Sequence, residues 1–198
     1  MGGLSFFVRN FATFLSFLIP LLEKFPSKLL PAQLEKLVSS LARTGRDLQR
    51  YDHRGFRQVV GCIPYRYKKS NSLMSSKEIE VLVISAMKGD GMLFPKGGWE
   101  NDESMVDAGM RETFEEAGVS GEIEEKLGKW FYMSKRGSIM HEGHMFPMLV
   151  QKQLDHWPEK NIRKRRWVSV KEGREVLQLT WMREALEALV QRHDAQKQ

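Results

Sequence analysis

Between Gly97 and Val119 the chain reads GGWENDESMVDAGMRETFEEAGV, and its end is crowded with charge. Glu112, Glu115 and Glu116 fall within five residues, directly after Arg111. Like charges three or four residues apart on a helix repel each other, so such a cluster calls for compensating positive charge. Glu112 and Glu116 are at i and i+4, which sets their Cβ atoms roughly 5–6 Å apart. Both carboxylates can then reach one hard divalent cation, or a pair of them. Oxygen-only ligation suits Mg²⁺ or Mn²⁺, and the metal cancels the repulsion of the bare helix. Arg111 and Glu115 are also four apart and can brace each other as an ion pair. Taken alone, the cluster has a second reading, a solvated and charged helix face.

The element that must carry these groups is a helix. Asn101 or Asp102 is the predicted N-cap, the helix runs to about Ala117, and Gly118 suits its exit. Helical periodicity gathers Val106, Met110, Thr113, Phe114 and Ala117 on one buried face. It places the three glutamates opposite, with the small residues Ala108 and Gly109 a turn upstream leaving room on that side.

Read in full, the stretch resembles the Nudix hydrolase signature: Gly97, five residues, Glu103, seven residues, Arg111-Glu112, two residues, Glu115-Glu116, Ala117, Gly118 and an aliphatic at Val119. One aliphatic position holds Thr113, whose hydroxyl needs a partner, such as a carbonyl one turn back. The resemblance implies an α+β fold, an α/β/α sandwich with a mixed β-sheet and a loop-helix-loop catalytic motif. It implies an enzyme that hydrolyses a nucleoside diphosphate linked to another group, or a related pyrophosphate, with Mg²⁺ or Mn²⁺ as cofactor. Under it, Glu112 and Glu116 are the main metal carboxylates and Gly97 offers its backbone carbonyl. Glu115 shares the metal cluster or accepts a proton from water. Glu103 and Arg111 hold the loop and helix in place. Glu142 and His144 are alternative bases whose competing reading is as surface groups. Bound cations would neutralise the pyrophosphate and activate a water for in-line attack. No serine or cysteine nucleophile is required, and Cys62 has no catalytic setting.

The flanks narrow the resemblance. GCIPYRY, LFPKGGWE, RKRRWVSVKEGREVL and the preceding ARTGRDLQRY are similar to the plant group of diphosphoinositol polyphosphate phosphohydrolases and diadenosine polyphosphate hydrolases. This implies a small polyphosphate substrate, with other nucleoside diphosphate-linked compounds (ADP-ribose, NADH, nucleotide sugars) or an inactive binding module as alternatives. Arg57, Arg66, Lys68, Lys69, Lys96, Lys135 and Arg136 are the candidate phosphate ligands, Lys96 foremost because it precedes Gly97. The run Arg163 to Arg166 looks like a nucleic-acid or nuclear-localisation patch, with a solvated edge or an extension of the anion-binding face as its other readings. Trp99, Trp130, Phe131, Tyr132 and Trp157 are the aromatics available to a nucleotide base.

The rest of the chain frames this centre. Its 198 residues suffice for one domain of ordinary size. One cysteine excludes an internal disulfide framework and a cysteine-based zinc site. A net charge of +6 favours anionic partners, but no zinc-finger spacing or RNA-binding aromatic signature is present, so nucleic acid is not an expected partner. Alternating β-branched and aromatic runs predict strands over 56–67, with a break at Gly61 to Pro64, and over 77–87. Further strand regions are predicted after Gly118 and over 144–154, and a closing helix from about Leu179 to His193.

Residues 1–22 form an apolar, acid-free segment interrupted by Arg9, Asn10 and Pro20, too broken for a spanning helix. It is open to three readings: a mitochondrial presequence, a helix lying on a membrane surface, or a segment packed on the domain. A mitochondrial location follows from the first, with the cytoplasm as alternative. Phe6 stands where myristoylation needs Ser or Thr. Residues 23–50 read as a linker with a short helix, 51–193 as the hydrolase domain and 194–198 as a tail. No sequence feature sets an oligomeric state.

Overall fold

Two long runs of apolar and β-branched residues form the centre of a mixed sheet. The computed structural model describes residues 11–24, 32–43, 45–68, 78–87, 91–134, 137 and 139–196. Strands β1 (Arg57–Tyr67) and β7 (Met140–Gln153) pair in parallel, from Arg57 beside His141 to Tyr65 beside Leu149. Every other pairing between strands is antiparallel among the described residues. β2 (Ile79–Ser85) joins the second half of β1, and β4 (Lys96–Gly98) joins its first half. β3 (Met92–Leu93) and β8 (Arg165–Ser169) pair with β2; β5 (Val119–Ile123) and β6 (Gly128–Met133) pair with β7. The predicted break at Gly61 to Pro64 is absent. β1 continues through it because β4 and β7 flank Gly61 on both sides.

Helices cover both faces, giving the α/β/α sandwich. The signature helix α3 (Met105–Ala117) lies on β1; α4 (Val170–Val176) packs on β2 and α5 (Thr180–Ala195) on β6. The core joins Val60, Cys62 and Ile63 of β1, Val81 to Ile84 of β2 and Met145 of β7 to Met182, Leu186 and Leu189 of α5.

Helix α3 starts later than the sequence suggests. Ser104 is its N-cap: the Asp107 N–H donates to Ser104 Oγ at 3.0 Å, and the Ser104 hydroxyl donates to Asp107 at 2.6 Å. Asn101 and Asp102 form a turn before it. At the other end Gly118 takes φ 63°, the left-handed conformation that a side chain disfavours, and its N–H returns to Phe114 O. The helix is also buried more widely than one face. Val106 is exposed, whereas Ala108 and Gly109 lie against the sheet and Glu115 and Glu116 are themselves buried. A second layer covers Phe114 as well. Helix α1 (Phe11–Glu23) packs Leu15, Leu18, Ile19 and Leu22 with Val38, Phe114 and Leu154. Glu23 pairs with Lys152 at 3.0 Å.

Residues 11–23 therefore form a helix seated on the back of α3. Among the described residues no helix is long and apolar enough to cross a membrane. Helix α2 (Ala32–Ser39) follows, and the chain then threads along the signature loop instead of leaving it. Arg50 N–H donates to Trp99 O at 2.8 Å, Asn101 N–H donates to Leu48 O at 2.8 Å, and Gln49 bridges Glu100.

Candidate active site

The site is built around one buried arginine. Arg111 is 2% exposed and sits on α3 facing the loop from β4. Its Nε and Nη2 grip both oxygens of Glu103 at 2.8 and 2.7 Å, the bidentate geometry that a planar guanidinium favours. Nη2 also donates to Gly98 O at 3.0 Å, and Nη1 to Glu112 at 2.8 Å. Glu115 lies 3.5 Å from the same Nη1, so the expected i,i+4 pair forms as the outer member of a larger network. Burial opposes the charged form of Arg111, but its hydrogen bonds to Glu103 and the fields of Glu112 and Glu115 hold it more basic than usual. Glu103 further accepts the Glu100 N–H at 3.0 Å, and its carbonyl accepts Trp99 Nε1 at 3.0 Å. Glu103 and Arg111 thus fix the loop to the helix.

The three glutamates of α3 differ in surroundings. The Glu112 carboxylate lies directly over Gly97, where a Cβ would stand 2.2 Å from its carboxyl atoms; only glycine permits this approach. Glu116 accepts the Lys96 backbone N–H at 2.8 Å and a close hydrogen bond from Arg163. Glu115 accepts the Arg43 N–H at 3.3 Å through one oxygen; its other oxygen is buried without a hydrogen-bond partner. Burial pushes all three carboxyls up. Glu112 rises against the pull of Arg111 and Lys96. Glu115, with Glu112 adding to burial, rises to about 9. Glu116, relieved in part by Lys96 and Arg163, rises to about 7. Among the described residues no three histidine, cysteine, aspartate or glutamate side chains converge as a ready metal cage. Arg111, Arg163 and backbone N–H groups hold the carboxylates instead.

Cations gather at the same end of the helix. Arg57, half-buried, donates to Gln49 at 2.6 Å and lies within the field of Glu112. Lys96, also half-buried, is depressed by burial while Glu116 and Glu112 oppose the shift. His141 is driven to about 4 by burial and by Arg57, Lys96 and Arg46, which places all four in one neighbourhood. Tyr132 packs edge-on against His141 and stacks on Trp181 at 4.5 Å.

Of the other predicted phosphate ligands, Arg66 and Lys68 are not brought here. They occupy the far end of β1 and its exit, where Arg66 pairs with Glu80 at 2.7 Å and rides over Trp167, and Lys68 pairs with Glu78. A strand rises about 3.3 Å per residue, so Arg66 stands nearly 30 Å from Arg57. Lys69, Lys135 and Arg136 lie outside the described residues. Glu142 and His144 are buried rather than surface groups. Glu142 binds Lys129 at 3.0 Å and Arg54 at 3.1 Å, and His144 Nε2 lies 3.0 Å from Gln58. The Thr113 hydroxyl finds no carbonyl and lies beside the Cys62 thiol, itself pushed up to about 12 by burial.

Arg163, His141 and Arg43 were not singled out individually by the sequence. Arg163 had a usable signal. In the run Arg163 to Arg166, Arg163 and Arg165 turn inward, to Glu116 and to the Ala117 and Gly118 carbonyls, while Arg166 pairs outward with Glu172. That alternation has the period of a strand.

The chain matches the NUDIX domain over residues 55–191. It is 61% identical over 190 residues to Nudix hydrolase 4 of Arabidopsis thaliana, spanning 95% of this chain and 92% of that one. To Nudix hydrolase 21, chloroplastic, of the same plant it is 55% identical over 197 residues, 96% and 97% of the two chains. Five further Arabidopsis relatives are named mitochondrial. Diphosphoinositol polyphosphate phosphohydrolase 2 of Mus musculus is 34% identical over 131 residues, 65% of this chain and 66% of that one. The fold is similar to that of a C. elegans Ap4A hydrolase in a binary complex, with a TM-score of 0.55 at 19% identity over 70% of this chain and 98% of that one. At this identity and coverage, with the signature arginine and glutamates in one network, the chain belongs to the Nudix hydrolases and is a pyrophosphohydrolase.

Proposed function

We propose that the protein cleaves pyrophosphate bonds in small, highly phosphorylated molecules, diphosphoinositol polyphosphates and diadenosine polyphosphates. The observation that carries this reading is the positive charge around Glu112 and Glu116. Arg57, Lys96 and Arg46 stand on one side. On the other, Arg163 holds Glu116 and also borders a cleft of about 970 Å³ lined by Lys160 and Lys164. A simple diphosphate needs fewer cations than this; a crowded polyphosphate uses them. The name of the mouse relative supports the inositol arm. Tyr132, half-buried beside His141, favours the diadenosine arm, because a base needs an aromatic neighbour.

Membership of the family implies dependence on Mg²⁺ or Mn²⁺, and these residues fit such an ion. Three carboxyls raised above their ordinary range, two of them buried and one with an unpartnered oxygen, are short of positive charge. Their donors are hard oxygens. Glu112, Glu116 and the Gly97 carbonyl would hold the ion, with Glu115 beside them. When bound, the ion neutralises the pyrophosphate oxygens and makes a bound water acidic. The chain does the rest. Arg111 and Glu103 keep the glutamates oriented, Arg57 and Lys96 draw in substrate oxygens, and Glu115, ionised once a cation supplies the missing positive charge, would accept the water's proton.

A hydrolysis panel tests the reading: a diphosphoinositol polyphosphate, a diadenosine polyphosphate and ADP-ribose. The two polyphosphates should exceed ADP-ribose in kcat/KM by about tenfold, the size of one charge-assisted phosphate contact. ADP-ribose as the best substrate overturns it. Lys96→Ala keeps the backbone N–H that serves Glu116, so it should weaken the most charged substrate most; a uniform loss would refute the lysine's role.

For the compartment we propose the mitochondrion, on the names of five relatives and the acid-free N-terminal segment; one relative is named chloroplastic. Protease protection after import into isolated mitochondria supports it, and protein left outside them argues for the cytoplasm. The apolar face Leu15, Leu18, Ile19 and Leu22 is occupied by α3, and among the described side chains Phe17 and Leu21 are exposed on α1 for membrane contact.

A further inference from the structure

Ahead of the family-matched residues, Arg43 sets both its side chain and its N–H against the catalytic frame. Arg43 forms a close ion pair with Glu100 and a second, at 3.0 Å, with Asp102. Both acids belong to the loop between β4 and α3. Its backbone N–H donates to Glu115 at 3.3 Å. The Glu100 N–H in turn donates to Glu103, which grips Arg111, which holds Glu112. The segment is fixed from both sides: Val38 is buried with Phe114 and Leu154, and Leu48 accepts the Asn101 N–H.

We propose that Arg43 is a positioning residue for hydrolysis, pinning the signature loop through Glu100 and thereby delivering its own N–H to Glu115. Arg43 is not assigned to the substrate or to the reacting atoms; it acts through two other residues. Glu100 is buried and Arg43 largely so, so removing the guanidinium leaves a buried carboxylate without its cation. Glu100 then relaxes toward water, and the N–H it offers Glu103 moves with it. The loss therefore spreads from a residue outside the matched domain to the orientation of Arg111 and the glutamates. The inference rests on the pyrophosphohydrolase activity alone and holds whichever polyphosphate is preferred.

The test is steady-state kinetics of full-length Arg43→Ala, Arg43→Lys, Glu100→Gln and the Arg43→Ala/Glu100→Gln double variant. Any pyrophosphate that the wild type cleaves serves, at a temperature well below each unfolding midpoint. Arg43→Ala should lower kcat about tenfold or more, as loss of a supporting contact does. Its KM should stay within about twofold, because ground-state binding is untouched. Arg43→Lys should recover part of the loss, since an ammonium can still reach one of the two acids. The double variant should be little worse than Arg43→Ala, because both changes break one contact. Wild-type kcat with a lowered midpoint would make the role purely structural and overturn the proposal. So would a raised KM at unchanged kcat, or losses that add in the double variant. If Arg43→Ala does not fold, the lysine variant crossed with Glu100→Gln carries the same comparison.

Discussion

At the residue scale, Arg111 and the glutamates around it have opposite relations to stability. Arg111 is the paired member: Glu103, Glu112 and the Gly98 carbonyl all satisfy it. Replacing it with alanine strands buried carboxylates, and breaking such a pair costs about 3–5 kcal/mol. Urea unfolding of Arg111→Ala should show that loss; a change within 1 kcal/mol would mean that the network is not formed in solution. Glu112 and Glu116 are the reverse, acids held above their ordinary range by desolvation, with the charge of Glu112 adding to the rise of Glu116. Changing either to glutamine should cut turnover by about 100-fold or more, as loss of a transition-state electrostatic contact does, while leaving the unfolding midpoint equal or higher. Product release followed across a Mg²⁺ titration checks the first half, and unchanged activity would remove them from the metal site. Residue types and spacing were enough to pick out this set. Burial was not readable in the same way: Glu142 and His144 look like surface groups in sequence, because Arg54, Lys129 and Gln58, which accompany them, come from other strands and loops.

At the scale of elements, the sequence marks the body and exit of α3, because its exit glycine and its charges lie within one short stretch, while the cap falls on Ser104 and not on Asn101 or Asp102. Its covering partner is far away in sequence. An apolar helix near the N-terminus is compatible with a leader, a membrane face or a packed element, and its packing partner Phe114 lies far along the chain. Local periodicity carries no record of that position. The stretch after α2 escaped for the same reason: its partners Trp99, Glu100 and Asn101 are supplied by a distant loop. Deleting residues 1–23 should therefore do more than remove a tail. Four buried side chains, Leu15, Leu18, Ile19 and Leu22, lose their contacts, and Phe114, Leu154 and Val38 are uncovered. Each fully buried aliphatic side chain contributes about 1.5–3 kcal/mol, and the ordering entropy of the helix offsets much of that. A residue of about 2 kcal/mol would lower the unfolding midpoint by roughly 4–8 °C. The truncated protein should also bind a hydrophobic dye more strongly. An unchanged midpoint would mean that α1 is dispensable to the fold.

At the scale of the whole molecule, a net charge of +6 coexists with a centre that is too acidic for its surroundings. The two are parts of one arrangement: surface and cleft cations favour an anionic substrate, while the buried acids call for a divalent ion. This predicts a pH dependence of stability in the metal-free protein. The carboxyls of Glu115 and Glu116 stand at about 9 and about 7, against an ordinary 4.5. The folded state then holds their protons more tightly than the unfolded state, so stability falls as pH rises from 4.5 through 9. His141, moved from 6.5 down to about 4, works the other way, adding stability as pH rises between those values. The two trends oppose each other below pH 6.5, and above it the carboxyls act alone. With a chelator present, the unfolding midpoint should drop by roughly 5 °C or more between pH 6.5 and 9, given about 2–4 °C per kcal/mol for a chain of this size. Glu115→Gln should flatten the slope. Mg²⁺ should raise the midpoint more at pH 9 than at pH 6.5, because it binds the ionised carboxylates without competing for their protons there. A midpoint that is flat across this window in the chelated wild type would show that the glutamates of α3 are already satisfied without the ion, and the case for their shortage of positive charge would fail.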